Sequence, residues 1–441
     1  MGLWGGGSVI GVVADDLTGA HDIGSMFVKS GALVYVFSYT GETHEPVLSG
    51  WEIPDVLILD TNSRFDTPMM AYKKVFQATA RLRELGCDRF YKKICSAFRG
   101  NIGSELDAML DATDEAFAAV IVGFPKNGRQ TIQGIHYIHG VKLEESEFRF
   151  DPVHPMTSSN LVEILQSQTK RRVGLIPKAV VAQGPTILRK AVEQLKGIYD
   201  YVIMDVADQG SIEVIAQGLH DLPVLGGSSA MAEELPVLRR NSDFNQCRAL
   251  PKQASEAGRG VLCAAGSLMP QTAAQVEYMR QRGAPVFELD SLRIMTPDQR
   301  TAEIEELSIQ IGASLQRGED VVVHTANDSK VVAETKAMGQ AQGLTTQAIS
   351  RVVSGALAEV ISHCVRQGGP IGLLIAGGDT SAAVCANLGI TGMRVWQEIE
   401  PGIPSCMSLT EPPLMMVLKA GGFGKPDFFA KAVAHLKDQG K

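Results

Sequence analysis

The chain has 441 residues, 45% of them hydrophobic, and carries a formal net charge of −8. That length suffices for two or three domains with sizeable cores. The acidic balance excludes a general nucleic-acid or membrane-surface binder, so any anionic ligand must be met by a local basic cluster. Seven cysteines without a CxxC pair point to reduced thiols in a cytoplasmic setting, and the nine histidines form no HExxH motif. The opening MGLWGGGS lacks the charged start and apolar core of a signal peptide. No apolar run approaches the ~20 residues needed to cross a bilayer.

In chain order, Val9–Val13 reads as a strand buried on both faces, because a continuous β-branched run suits a covered parallel sheet. It ends at Asp15 and Asp16, and Leu17-Thr18-Gly19 leads straight into a helix ending near Gly31. The two carboxylates either cap that helix or accept from the hydroxyls of a ligand whose own carboxylate meets the free amides. Further strands are expected at Leu33–Phe37, Val56–Leu59, Arg89–Ile94, Phe117–Val122 and Tyr201–Val206, with Ser104 and Asp107 marking a helix start. His136 and His139 fall in a strand or loop without a metal. Arg64, Lys92, Lys93, Arg99, Lys126 and Arg129 lie at or just beyond strand ends. If those strands are parallel, one basic rim faces Asp15 and Asp16, which suits a small acid bearing hydroxyls.

Gly226-Gly227-Ser228-Ser229 reads as the opening of a helix, after which the pattern loosens into a linker at 241–258. The expected division is an acid-binding domain at 1–240 and a nucleotide domain at 259–441. Strands are expected at Val261–Ala265, Val321–His324, Leu373–Ile375 and Leu414–Leu418. Three of them run into glycine turns: Gly266-Ser267, Gly377-Gly378-Asp379-Thr380 and Lys419 to Lys425. Glycines let a backbone approach phosphate oxygens, and helix N-termini aim amides at them. Asp379 suits either Mg²⁺ contact or acceptance of a proton from an attacking hydroxyl. Neither a Walker lysine motif nor GxGxxG is present, which argues against a hydroxy-acid dehydrogenase. The fold class expected is α/β: two domains, each a mainly parallel, doubly wound sheet flanked by helices, with the active site in the cleft between them.

ADDLTGA (14–20), NSR (62–64), RGN (99–101), FP-x-x-GR (124–129), GS (266–267), GGDT (377–380) and LKAGGFG (418–424) stand here in one order. Taken together they resemble the four-carbon acid sugar kinase family over nearly the whole chain. The resemblance implies an ATP- and Mg²⁺-dependent kinase acting on the terminal 4-hydroxyl of threonate, erythronate or 3-oxo-tetronate. By the same resemblance Asp16, Arg64 and the turn Lys93-Ile94-Cys95-Ser96, with Arg99 beside it, contact the sugar acid. Ser267, Gly377, Gly378, Asp379, Thr380 and Gly421 contact ATP, while Asp16 and Asp379 are the catalytic candidates. The expected partner is a small sugar acid, with no nucleic acid or membrane, and a homo-oligomer is allowed.

The chain departs from the family pattern K-x-D-S-T-x-R-G-N at Cys95 and Ala97, which replace an aspartate and a threonine. The last turn also loses polar side chains, and Met269 ends the GS-x-S turn. Backbone amides carry most phosphate binding, so these changes bear more on the acid than on ATP. The other reading of the Cys95 loop is a non-catalytic sugar-acid sensor with a residual ATP site.

Overall fold

The computed structural model describes residues 8–39, 52–151, 153–235 and 259–439. The expected linker 241–258, the opening heptapeptide and Cys247 lie outside these residues. The chain divides into two compact units, Met1–Asn245 and Gln246–Lys441.

In the first unit β1 (Ile10–Ala14), β2 (Val34–Ser38), β3 (Val56–Asp60), β4 (Arg89–Lys93) and β5 (Ala118–Ile121) follow one another, mostly separated by helices. A small antiparallel sheet, β6 (Arg129–Ile132), β7 (Ile135–Ile138) and β8 (Val141–Lys142), interrupts the alternation. β9 (Val173–Ile176), β10 (Tyr201–Met204) and β11 (Val224–Gly227) restore it. The strands of the main sheet lie in the order β2-β3-β1-β4-β11-β5-β10-β9 and every pair is parallel. The strand order reverses between β1 and β4, and such a switch point leaves a crevice beyond the carboxyl ends of the strands. Ala14 is in register with Asp60 on one side and Lys93 on the other. The turns after β1, β3 and β4 therefore stand level around that crevice.

Two boundaries expected in this unit shift by a few residues. Gly226 and Gly227 form the end of a central strand, and the helix expected there opens after Ser229, at Ala230. A Cβ on Gly227 would sit 1.9 Å from the Ile121 carbonyl oxygen and one on Gly226 2.9 Å from Leu106, so these glycines permit close sheet packing. The helix after Gly100 begins at Ile102, two residues before Ser104, which falls in its first turn. Its Asn101 cap makes no side-chain cap bond and instead donates to the carbonyls of Ser63, Arg64 and Asp66.

In the second unit β12 (Leu262–Ala265), β13 (Val286–Leu289), β14 (Val321–Thr325), β15 (Leu373–Ala376), β16 (Gly392–Glu400), β17 (Ile403–Ser408) and β18 (Met415–Lys419) follow in turn. They lie in the order β13-β14-β12-β15-β18-β17-β16. The first five are parallel, and β17 runs antiparallel to both its neighbours. The order reverses between β12 and β15, and Ala376 is in register with Ala265 and Lys419. All three glycine turns thus rise from adjacent strand ends. The hairpin β16–β17 and strand β13 add to the four strands expected from the sequence.

The helix Thr346–Arg366 corrects the reading that no segment reaches bilayer length: it has 21 residues, and its most apolar window has a mean hydropathy of 1.3. Half of that window is buried inside the unit, and Arg351, Glu359 and Arg366 lie along it. It packs against the helices Pro297–Gln316 and Gly378–Leu388, as a core helix does.

Candidate active site

In the first unit, the crevice is organised by Arg64. Its Nε and Nη2 donate to the two Asp15 oxygens at 2.7 and 2.8 Å, and its Nη1 and Nη2 donate to the two Asp16 oxygens at 2.8 Å each. Asp16 is also the N-cap of the helix Leu17–Lys29, accepting from the Gly19 amide and the Thr18 hydroxyl. Asp16 therefore caps the helix and pairs with Arg64 at once. Asp15 is buried, which works against its charge. Arg64, with Lys92 and Lys93 behind it, outweighs that penalty and holds the carboxyl down at about 2. Burial lowers the tendency of Arg64 to stay charged, but Asp15 and Asp16 drive it well above its ordinary value.

The six basic residues of the rim divide into two groups. Arg64 is committed to Asp15 and Asp16, Lys92 to Glu105 at 3.0 Å, Arg99 to Asp151 at 2.6 Å and Lys126 to Glu233 at 2.6 Å. The Lys92–Glu105 pair is fully buried, so Lys92 belongs to the core beneath the site and not to a ligand surface. Among the described residues, Lys93 and Arg129 are the members of the six that form no ion pair. The Lys93 ammonium donates to the Ile94 carbonyl and lies 3.1 Å from where a Gly19 Cβ would stand, beside Asp16. Ile94 itself packs into the core.

The Cys95–Asn101 loop is pinned from below. His136, on β7, bonds the Ser96 carbonyl through Nε2 at 2.8 Å and Thr131 through Nδ1 at 3.1 Å. Burial pushes this histidine down to about 4, so at neutral pH it donates to Ser96 and accepts from Thr131. Phe98, fully buried, holds a φ of 55°, a strained conformation for a bulky residue. Cys95 is buried, which opposes thiolate formation. The guanidiniums of Arg64 and Arg99 outweigh this and lower its pKa. The thiol is thus more acidic than an ordinary one where the family pattern has a carboxylate.

Asp60 closes β3 in the same crevice and was not singled out from the sequence. Burial, with Asp16 and Asp15 nearby, raises its carboxyl to about 7, against the pull of the Asn62 amide and Arg64. The signal was present: VLILD ends in an aspartate just as the β1 run does.

The second unit contains a cleft of about 450 Å³, within the range of small-ligand sites. Its floor is the three glycine turns: Gly266, Ser267, Gly377 to Thr380 and Gly421. The rest of its lining is mixed: Val332, Ile349 and Val353 stand among Thr335, Lys336, Ser350 and Ser354 of the same helices. The turns interlock so closely that a Cβ on Gly266 would stand 2.0 Å from Thr380 Oγ1 and one on Gly421 1.9 Å from Ser267 Oγ. The helix Gly378–Leu388 presents its first-turn amides at Gly378, Asp379 and Thr380. The carbonyls of the last turn face inward: Thr272 donates to that of Gly421, and the Gln275 amide to those of Phe423, Gly424 and Lys425. Among the described residues, the Gly421 and Gly422 amides have no protein acceptor. The result is a cradle of donors that suits phosphate oxygens.

Asp379 is exposed at the edge of this cradle, 3.5 Å from Ser350 Oγ. No cluster of three or more potential metal ligands occurs among the described residues. One carboxylate beside a phosphate cradle fits Mg²⁺, which keeps several waters and shares a nucleotide's phosphates.

The comparisons with known proteins divide the chain at the same place. Residues 10–235 match the family model of a sugar-binding N-terminal domain, and residues 262–429 that of a nucleotide-binding C-terminal domain. A sugar-binding unit joined to a nucleotide-binding unit defines a class: the protein is a kinase, a phosphotransferase with an alcohol group as acceptor. Relatives named 3-oxo-tetronate kinase are similar over almost their whole length. They include those of Pseudomonas fluorescens (31% identical, 97% of each chain) and Haemophilus influenzae (30%, 96% of this chain and 99% of the other). The chain belongs to the four-carbon acid sugar kinase family.

Two solved structures share the fold. One, from Salmonella typhimurium LT2 and described as a tRNA synthase, has a TM-score of 0.81 at 30% identity, over 96% of this chain and 98% of that one. The other, a Haemophilus influenzae protein of a family without assigned function, has a TM-score of 0.75 at 29% identity, over 97% and 100%.

Proposed function

We propose that the protein uses MgATP to phosphorylate the terminal 4-hydroxyl of a four-carbon sugar acid, 3-oxo-tetronate foremost, with threonate and erythronate as the neighbouring candidates. The observation that carries this reading is the division of charge in the first unit. Arg64 fixes two acceptor carboxylates, while Lys93 and Arg129, which form no ion pair among the described residues, are the cations offered to a substrate carboxylate. The names of the relatives support the four-carbon chain. Residues 1–240 are read as the acid-sugar domain and 259–441 as the nucleotide domain, in a cytoplasmic enzyme.

Lys93 and Arg129 draw the acid's carboxylate, Ser96 and the amides near Gly19 add hydrogen bonds, and Asp16 accepts from a substrate hydroxyl and orients it. Arg64 contributes by holding Asp16 in place, and Cys95 fills the position of the family's aspartate. Ser267, Gly377, Gly378, Thr380 and Gly421 hold the phosphates of ATP. Asp379 either contacts the metal or takes the proton of the attacking hydroxyl. Bound Mg²⁺ neutralises phosphate charge that builds during transfer. What the chain supplies is positioning, since phosphoryl transfer needs in-line alignment more than covalent help.

ADP release with MgATP and a panel of three- to six-carbon sugar acids tests this reading. Turnover with a four-carbon acid is the expected result. Turnover only with longer or shorter acids would move the substrate. ATP binding without any acid-dependent ADP release would overturn the substrate class.

A further inference from the structure

Lys419, the last residue of β18, lies under the phosphate cradle and is 1% exposed. Among the described residues its ammonium bonds only neutral oxygens, Thr272 Oγ1 at 3.1 Å and the Gly421 carbonyl at 3.3 Å, and it stands 5.9 Å over the Phe429 ring. A buried cation without a counter-ion is costly, and proteins usually pair it or discharge it.

The elements packed around it supply no pairing charge. β15 and β17 carry no charged side chain. On the helix Pro270–Gln281, Glu277 and Arg280 pair with each other. On the helix Phe428–Gln439, Lys431 pairs with Glu400 and Asp427, Lys437 with Asp320, His435 bonds Ser405, and Asp438 is exposed near the helix end. Asp379, on the helix Gly378–Leu388, is exposed and directed to Ser350. Lys425, in the turn itself, is exposed. Burial alone accordingly brings Lys419 down to about 7.

We propose that Lys419 is a positioning residue for the nucleotide: it fixes the Gly421 carbonyl inward so that the turn's amides face the phosphates, and it takes up a proton when the polyphosphate arrives as its missing counter-charge. This rests on the ATP assignment above. The same amine is then a weak donor in the empty protein and a full cation in the complex. Since binding raises its pKa, affinity is greatest below the free value and falls as pH rises through the bound value.

Calorimetry of MgATP binding at pH 8, without sugar acid, in two buffers of different ionisation enthalpy reads the proton directly. The wild-type protein is expected to take up a large fraction of one proton per nucleotide. Lys419→Met should take up none and bind MgATP about tenfold or more weakly, with KM for the acid unmoved. Lys419→Arg, charged throughout, should keep the affinity and lose the uptake. Binding without proton uptake in the wild type, or equal uptake in Lys419→Met, overturns the proposal even if a variant fails to fold. Failure of the wild type to bind MgATP at all would instead remove the ATP assignment and this inference together.

Discussion

Arg64 meets Asp15 as a buried two-pronged pair, with bonds of 2.7 and 2.8 Å, while the rest of the same guanidinium grips Asp16. One planar group therefore sets two consecutive carboxylates at the end of β1. Arg64→Lys cannot reproduce the fork. Leaving Asp15 buried and half-paired should cost about 3 kcal/mol of stability, as breaking a buried pair does. Denaturant unfolding checks this, and acid-dependent kcat/KM should fall by about a hundredfold or more.

Asp16→Asn separates capping from chemistry. Asparagine is as good an N-cap as aspartate, so the helix Leu17–Lys29 should keep its start. The charge that the proposed function gives the task of orienting the substrate is lost, however. Acid-dependent turnover should drop by about a hundredfold while MgATP affinity, measured by calorimetry, stays unchanged. Equal loss of both would contradict the assignment of acid and nucleotide to separate units.

Asp60 predicts a pH dependence of stability. Its folded pKa, about 7, lies above the ordinary carboxylate value of 3.8. Between those values the unfolded chain has released the proton and the folded one retains it. Stability contributed by the neutral acid is therefore complete below 3.8 and lost as pH rises through about 7. Asp60→Asn keeps an acceptor for the Asn62 amide and removes the ionisation. Melting temperatures from pH 5 to 8.5 should fall more steeply in the wild type than in this variant.

Cys95 should react with thiol reagents faster than Cys263, Cys364 or Cys406, whose thiols burial pushes up. Mass mapping after brief alkylation, with and without sugar acid, is the check, and the acid should protect. Cys95→Asp restores a full carboxylate among Arg64 and Arg99. It should shift the preference among four-carbon acids by about tenfold or more, since a hydrogen bond to a charged group is worth ~1.5–3 kcal/mol.

Gly421→Ala tests the cradle. The added methyl would lie 1.9 Å from Ser267 Oγ and 2.8 Å from its Cβ, so two phosphate turns must part. KM for ATP should rise by about tenfold or more, with the Cys95 thiol reacting as before.

Much of this was legible along the chain because strand and turn signals are local. VVADD, VLILD, LLIAGGDT and MMVLKAGG each show an apolar run ending in polar or glycine residues, and such runs become parallel strands, whose carboxyl ends face the ligand crevice in open α/β sheets. The α/β class could be read that way, and the family from the order of the motifs ADDLTGA to LKAGGFG. Which charges were available could not. Lys92 and Arg99 sit on the rim by sequence as plainly as Lys93 and Arg129, but their partners Glu105 and Asp151 come from distant segments. The same holds for Lys419, whose lack of a counter-ion depends on what five separate elements bring against it. Sequence alone determined where the chemistry-bearing residues stand along each strand end. Only the tertiary structure decided which remain free to meet a ligand, because burial and ion pairing are properties of residues brought together in space.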